Sequence, residues 1–297
     1  MKKPTFADLS IFFVNRAFNT RFFLAGLTRK SKLAHKIIDK LLFEDDEIIV
    51  IPNTLNLNKT KTATSDSNSK TIETKIEINQ TIEDVKSTFL PTDIIKEAVK
   101  ESPNIFIMDT CICRVSNDCK DYPHDIGCIF LGEATKQIPK HLGRKVSSEE
   151  AIKHIDQADS AGLSHLIGRN KIDSVWMNVG PKEDLLTICH CCPCCCLWKV
   201  VPNLEEDIGD RVEKLEGVSV NFNSEKCTGC KRCIDSCFVK AITFNEETKT
   251  IEIGQNKCRG CGKCVNICKQ EAISINYTKQ SVDVILNRIQ NLVDYTK

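Results

Sequence analysis

Cys227-Thr228-Gly229-Cys230-Lys231-Arg232-Cys233-Ile234-Asp235-Ser236-Cys237 has the spacing C-x2-C-x2-C-x3-C. Cys258-Arg259-Gly260-Cys261-Gly262-Lys263-Cys264-Val265-Asn266-Ile267-Cys268 repeats it 31 residues later. The likeness extends beyond the thiols: Lys226 matches Lys257, Gly229 matches Gly260, and Ala241-Ile242 matches Ala272-Ile273. One pattern returning at a fixed offset marks an internal duplication. Four cysteines within one short loop are too crowded for a zinc ribbon, which uses two C-x2-C pairs separated by a longer loop.

The spacing suits a different group. A cubane iron–sulfur cluster needs four thiolates converging on its corners, and a tight loop supplies three of them. In this motif the fourth cysteine serves the other cluster. The expected sets are therefore Cys227, Cys230, Cys233 and Cys268 for one [4Fe–4S] cluster, and Cys258, Cys261, Cys264 and Cys237 for the other. Gly229 and Gly260 relieve crowding where the backbone wraps sulfur. Residues 225–270 hold nine Lys or Arg against five Asp or Glu, a formal +4. Two oxidised clusters at about −2 each bring the segment near neutrality. Lys226, Arg232, Lys257, Arg259 and Lys263 then offset cluster charge or dock an acidic electron partner.

Over roughly residues 220–278 the chain resembles the bacterial-type ferredoxin domain with two [4Fe–4S] clusters. The family's proline after the fourth cysteine is replaced by Phe238 and Lys269.

Ten further cysteines lie upstream. Cys111, Cys113, Cys119 and Cys128 form one group, and Cys189, Cys191, Cys192, Cys194, Cys195 and Cys196 are six thiols within eight residues. Adjacent thiolates repel one another unless cations or protons neutralise them, and a metal centre does so directly. Ligand softness favours an additional iron–sulfur cluster, with zinc and redox-active thiols as alternatives. His124 and His190 are candidate ligands or orienting groups, and Arg114 is a candidate hydrogen-bond donor to cluster sulfur. The C-x-C-R element, the C-x-C-C-x-C-C-C run and the terminal ferredoxin motif together resemble a group of poorly characterised iron–sulfur proteins of anaerobic archaea and bacteria. That resemblance covers about residues 90–275 and implies an anaerobic redox setting.

The expected fold class is α+β. An N-terminal helical segment (1–52) carries Ile11, Val14, Phe18, Phe22 and Ala25 at helical spacing, with Arg16, Arg21 and Arg29 alongside. It suits packing on a core or peripheral contact with a membrane surface. A polar linker and short strand (53–80) follow, the strand at Thr71–Ile78. A Cys-rich α/β domain (81–203) comes next, with a helix after Pro91 capped by Thr92 or Asp93, a strand Ile105–Met108, a helix opened by the Ser147–Glu150 capping box, and a strand Leu185–Ile188. Both thiol groups then lie just past a strand's carboxyl end, and if the strands are parallel neighbours the groups meet at one sheet edge. The ferredoxin domain (204–279) and an amphipathic helix (280–297) complete the chain.

The 297 residues balance 41 basic against 40 acidic side chains, which excludes a polyanion binder driven by bulk charge, so no nucleic-acid partner is expected. No apolar run approaches the roughly 18 residues of a spanning helix, and the Ile11–Val14 run stops at Asn15-Arg16. Crowded thiols without a signal peptide point to a reducing cytoplasm. No glycine-rich nucleotide motif is present, so electrons must come from a redox partner protein or a small carrier. Electron transfer is the leading reading. The alternatives are an oxidoreductase whose Cys-rich centre reduces a substrate, and a redox sensor or structural metal protein.

Overall fold

The computed structural model describes residues 16, 18–53, 90–278 and 282–297. The expected strand Thr71–Ile78, most of the linker, and Ile11 and Val14 lie outside the described residues.

The chain is α+β. Seven strands form its main sheet: β1 (Glu47–Ile51), β2 (Ile105–Met108), β3 (Ile129–Leu131), β4 (Gly143–Lys145), β5 (Ser164–Arg169), β6 (Leu186–Cys191) and β7 (Val212–Lys214). Their order is β4-β2-β3-β6-β5-β1-β7. Every neighbouring pair is antiparallel except β1–β7. The middle region is thus not the parallel sheet of an α/β unit. β2 and β6 are not hydrogen-bonded neighbours, since β3 lies between them, antiparallel to both. Two reversals leave β2 and β6 running the same way, so their carboxyl ends reach the same edge. β1, from the N-terminal segment, and β7, from the segment assigned to the ferredoxin domain, both belong to this sheet.

Alternation along the strands separates two faces. On one, Ile49, Ile51, Ile107, Ile129, Ile167 and Ile188 meet the helices Pro91–Glu101, Ser148–Ser160 and Val282–Leu292 through Ile94, Ile95, Ala151, Ile155, Leu286 and Ile289. The other face carries Cys189, Cys191 and Cys196. There Ile48, Val50, Leu166 and Cys191 pack under Phe43, Trp198 and Val200, while Phe106, Met108 and Phe130 pack under Trp176 and Met177.

The helix ends follow local chemistry. Ser147 caps the helix Ser148–Ser160 by accepting the Glu150 N–H at 3.3 Å. In the helix Pro91–Glu101 the cap position is Leu90, not Thr92 or Asp93. Asp93 stands in the first turn, where its carboxylate accepts the Leu90 N–H at 2.6 Å. The N-terminal segment is broken rather than continuous. Its helix Arg21–Lys30 stops at Ser31, whose extended backbone and side chain, accepting the Ala34 N–H, open a second helix Lys32–Ile38. Phe18, Ala25 and Phe43 are buried, whereas Phe23, Leu33, Ile37 and Leu41 are exposed.

Two small antiparallel ladders complete the fold. β8 (Val218–Phe222) pairs with β11 (Ile273–Tyr277), and β9 (Ile242–Asn245) with β10 (Thr250–Ile253).

Candidate metal centres

The two ladders dictate which cysteines meet. β8 precedes the first motif and β11 follows the second, so their pairing brings Cys227 near Cys268. The β9–β10 hairpin links the motifs and brings Cys237 near Cys258. One hollow of ≈ 370 Å³ is lined by Cys227, Cys230, Cys233 and Cys268. A second of ≈ 360 Å³ is lined by Cys237, Cys258, Cys261 and Cys264. The near-equal sizes match the duplicated sequence.

Backbone conformation repeats as faithfully. Gly229 and Gly260 both have φ +65. A Cβ on Gly229 would stand 2.6 Å from the Lys249 carbonyl oxygen, so this turn requires glycine. Lys231 and Gly262, both left-handed, open the short helices Arg232–Ser236 and Lys263–Ile267. Sulfur receives backbone N–H groups at matching points, from Ala241 to Cys237 Sγ at 3.2 Å and from Ala272 to Cys268 Sγ at 3.3 Å. Burial pushes the Cys233 and Cys261 thiols up to about 11, and a positive charge held beside each would favour its ionisation. Cys230 is the exposed member of the eight.

The upstream ten divide into two groups. Cys119, Cys192, Cys194 and Cys195 bring their sulfurs within 4.8 Å of one another. Among the described residues this is the one such tight group, so the eight C-terminal thiols stand wider apart. Five of the other six line a pocket on the sheet, and Cys111 stands apart from its lining. Cys189 and Cys191 point from β6 to the same face as Leu166, with Cys128 Sγ 3.6 Å from Cys189 Sγ and Cys196 Sγ 3.1 Å from Cys191 Sγ. Cys111 stands at the N-cap position of the helix Ile112–Ser116 beyond β2, and its sulfur accepts a hydrogen bond from the Cys113 thiol. The Cys189-His190-Cys191 run is therefore part of the strand itself, not of a loop beyond it. The pocket, of ≈ 910 Å³, is lined by Cys113, Cys128, Cys189, Cys191 and Cys196 together with Phe18, Arg21, Leu24, Trp176 and Trp198.

Arg114 joins the two groups. It is fully buried and donates to the His190 carbonyl at 2.8 Å and to the Ile126 carbonyl, so its hydrogen bonds go to backbone rather than to sulfur. Burial works to lower its pKa, but the fields of Cys111, Cys192, Cys128 and Cys191 outweigh that and raise it. It acts on the thiols as a charge.

His190 faces away from the cysteines that flank it. Its Nδ1 is 2.8 Å from His165 Nδ1, and His165 Nε2 is 3.0 Å from Asp159 Oδ1. If His165 donates to Asp159, the shared bond is donated by His190, which stays neutral because burial lowers its pKa well below the usual range. His124 Nε2 lies 2.8 Å from the Cys119 carbonyl oxygen and thus orients that loop. Sequence reasoning missed His165, Asp159 and Ser164. They come from a helix and a strand that carry no cysteine, and no spacing rule connects them with the thiols.

The two halves touch through the second hollow. Ser164 Oγ donates to the Cys261 carbonyl at 2.8 Å, and Ser164 pairs with Cys191 across β5 and β6. Lys263, 5% exposed, is buried where its charge acts on Cys261, Cys191 and Cys196 together.

Residues 219–269 match the family model of the 4Fe-4S dicluster domain, and this part of the chain is a ferredoxin-type domain. No curated protein and no solved structure matches the chain. An iron–sulfur electron-transfer role rests on that domain and on the upstream thiol cluster. Among the described residues, no helix is long and apolar enough to cross a membrane.

Proposed function

We propose that the chain is an electron relay whose two [4Fe–4S] clusters feed a thiolate-ligated iron–sulfur centre built on the main sheet. Cys227, Cys230, Cys233 and Cys268 hold the outer cluster, and Cys237, Cys258, Cys261 and Cys264 the inner one. Cys111, Cys113, Cys128, Cys189, Cys191 and Cys196 supply the third centre. One observation carries this reading: Cys189, Cys191 and Cys196 share a single apolar cluster with Cys237, Cys258 and Cys261. Electrons enter from a redox partner protein near Cys230 and leave through the inner cluster.

The lining of the pocket supports a reductase as the second reading. Leu24, Ile112, Trp176 and Trp198 stand beside the thiols and give a small apolar substrate a wall to bind against. The setting is an anaerobic, reducing cytoplasm. Peripheral contact with a membrane surface is a separate proposal, supported by exposed Phe23, Leu33, Ile37 and Leu41 beside Lys32, Lys36 and Lys40. Co-flotation with anionic vesicles tests it.

Reductive titration of anaerobically purified protein tests the relay. Wild-type protein takes up more than about two electrons, one for each ferredoxin cluster. Cys191→Ser takes up about two and keeps both ferredoxin signals. Equal uptake by wild type and Cys191→Ser removes the third centre from the relay.

A further inference from the structure

The ten upstream cysteines are not one ligand pool, because four of their sulfurs close on one another as a single group, whereas the other close contacts are pairs, Cys128 with Cys189 and Cys191 with Cys196. A tetrahedral ion with metal–sulfur bonds of about 2.3 Å sets its sulfurs about 3.8 Å apart. A cubane holds its thiolates at the corners of a four-iron body and needs them much farther apart. Cys194 Sγ lies 3.5 Å from each of Cys119 Sγ, Cys192 Sγ and Cys195 Sγ. All four sulfurs fall within 4.8 Å of one another, a spread that fits one ion and leaves no space for four.

We infer that Cys119, Cys192, Cys194 and Cys195 bind a single zinc ion, separate from the iron–sulfur centre of the other six cysteines. The inference rests on the relay reading only for what those six hold. Four thiolates in a closed shell are a structural zinc environment, and zinc outcompetes ferrous iron at such a site. Ile126, Ala158 and Leu163 wall the site off, with Tyr122 against it. The Cys195 N–H donates to Cys192 Sγ at 3.3 Å, stabilising that sulfur as a thiolate. Buried Arg114, whose charge acts on Cys192, offsets part of the net negative charge of the filled site.

The fold gives the ion a task. Cys119 belongs to the loop between the helix Ile112–Ser116 and β3, whereas the other three follow β6. Zinc therefore clamps the segment carrying Cys111, Cys113 and Cys128 to the segment carrying Cys189, Cys191 and Cys196. None of its four ligands lines the pocket.

The test is metal analysis of anaerobically purified full-length protein. Wild type should contain about one zinc per chain in addition to its iron. Cys194→Ser and Cys195→Ser should lose that zinc and keep the iron, whereas Cys128→Ser should keep the zinc and lose iron. Zinc-edge X-ray absorption of the wild type, which needs no variant to fold, should show four sulfurs at about 2.3 Å. A wild type without zinc, a zinc shell containing nitrogen or oxygen, or loss of iron from Cys194→Ser would each overturn the assignment. Failure of the relay alone would instead appear as zinc retained with no iron beyond the two ferredoxin clusters.

Discussion

The two cysteine-rich regions solve one chemical problem with opposite geometries. In the ferredoxin domain, each quartet lines an open hollow of ≈ 370 or ≈ 360 Å³. In the upstream region, four thiols converge within 4.8 Å and five more line a larger pocket. The arrangement of the sulfurs thus differs between the regions in a way that cysteine counting alone does not reveal. The difference also has a mechanical origin. The ferredoxin quartets are drawn from loops at the ends of two short ladders, so the chain wraps a cofactor. Of the upstream thiols, Cys189 and Cys191 are fixed on β6, and the others come from the segments that flank β2, β3 and β6.

Replacing one ligand on each side should break this comparison most clearly. Cys230→Ser is expected to lose about four irons and roughly half of the ferredoxin absorption, while Cys194→Ser keeps both ferredoxin clusters. Loss of those clusters from Cys194→Ser would show that the two regions do not bind metal independently.

Core damage should separate the regions next. Ile155 is fully buried between the helix Ser148–Ser160 and the sheet. Ile155→Ala should cost about 2–4 kcal/mol of stability, read by denaturant unfolding, without changing the iron bound by the C-terminal domain.

A pH effect is expected at Asp46, just before β1. Burial is the first cause raising the Asp46 carboxyl to about 8 from its ordinary 3.8. Its folded pKa lies above the unfolded one, so the native state binds the extra proton between these values, and stability falls as pH rises from about 4 to 8. Asp46→Asn should flatten that slope, as followed by thermal unfolding across the range. An unchanged slope would show that Asp46 ionises as freely in the folded chain as in the unfolded one.

The smallest effect is expected at the junction. Removing the buried Lys263 charge in Lys263→Met should lower the inner cluster's potential by roughly 40 mV, about 1 kcal/mol for one electron. Potentiometric titration should find the outer cluster less affected. Equal shifts in both would argue against Lys263 acting at the junction.

Legibility in the sequence differed between the regions for a physical reason. The ferredoxin domain is encoded locally: ligand spacing, Gly229, Gly260 and the alanine–isoleucine repeats all lie within one motif length. The helices Ser148–Ser160 and Val282–Leu292 were readable from their apolar periodicity. The main sheet was readable only in part: the strands expected at Ile105–Met108 and Leu185–Ile188 are β2 and β6, but β3, β4 and β7 have three residues each, too short for alternation to show. Nor could the sequence divide ten cysteines into four and six. Neighbouring Cys191 and Cys192 fall in different groups, since one ends β6 and the other begins the turn beyond it. The Asp159–His165–His190 chain was hidden for the same reason, being assembled across strands rather than along one.

Iron and acid-labile sulfide per chain, measured in protein purified without oxygen, test the central claim most directly. The account predicts more than about eight irons, four for each ferredoxin cluster and the rest in the upstream centre. Pale, iron-free protein after such purification would contradict it.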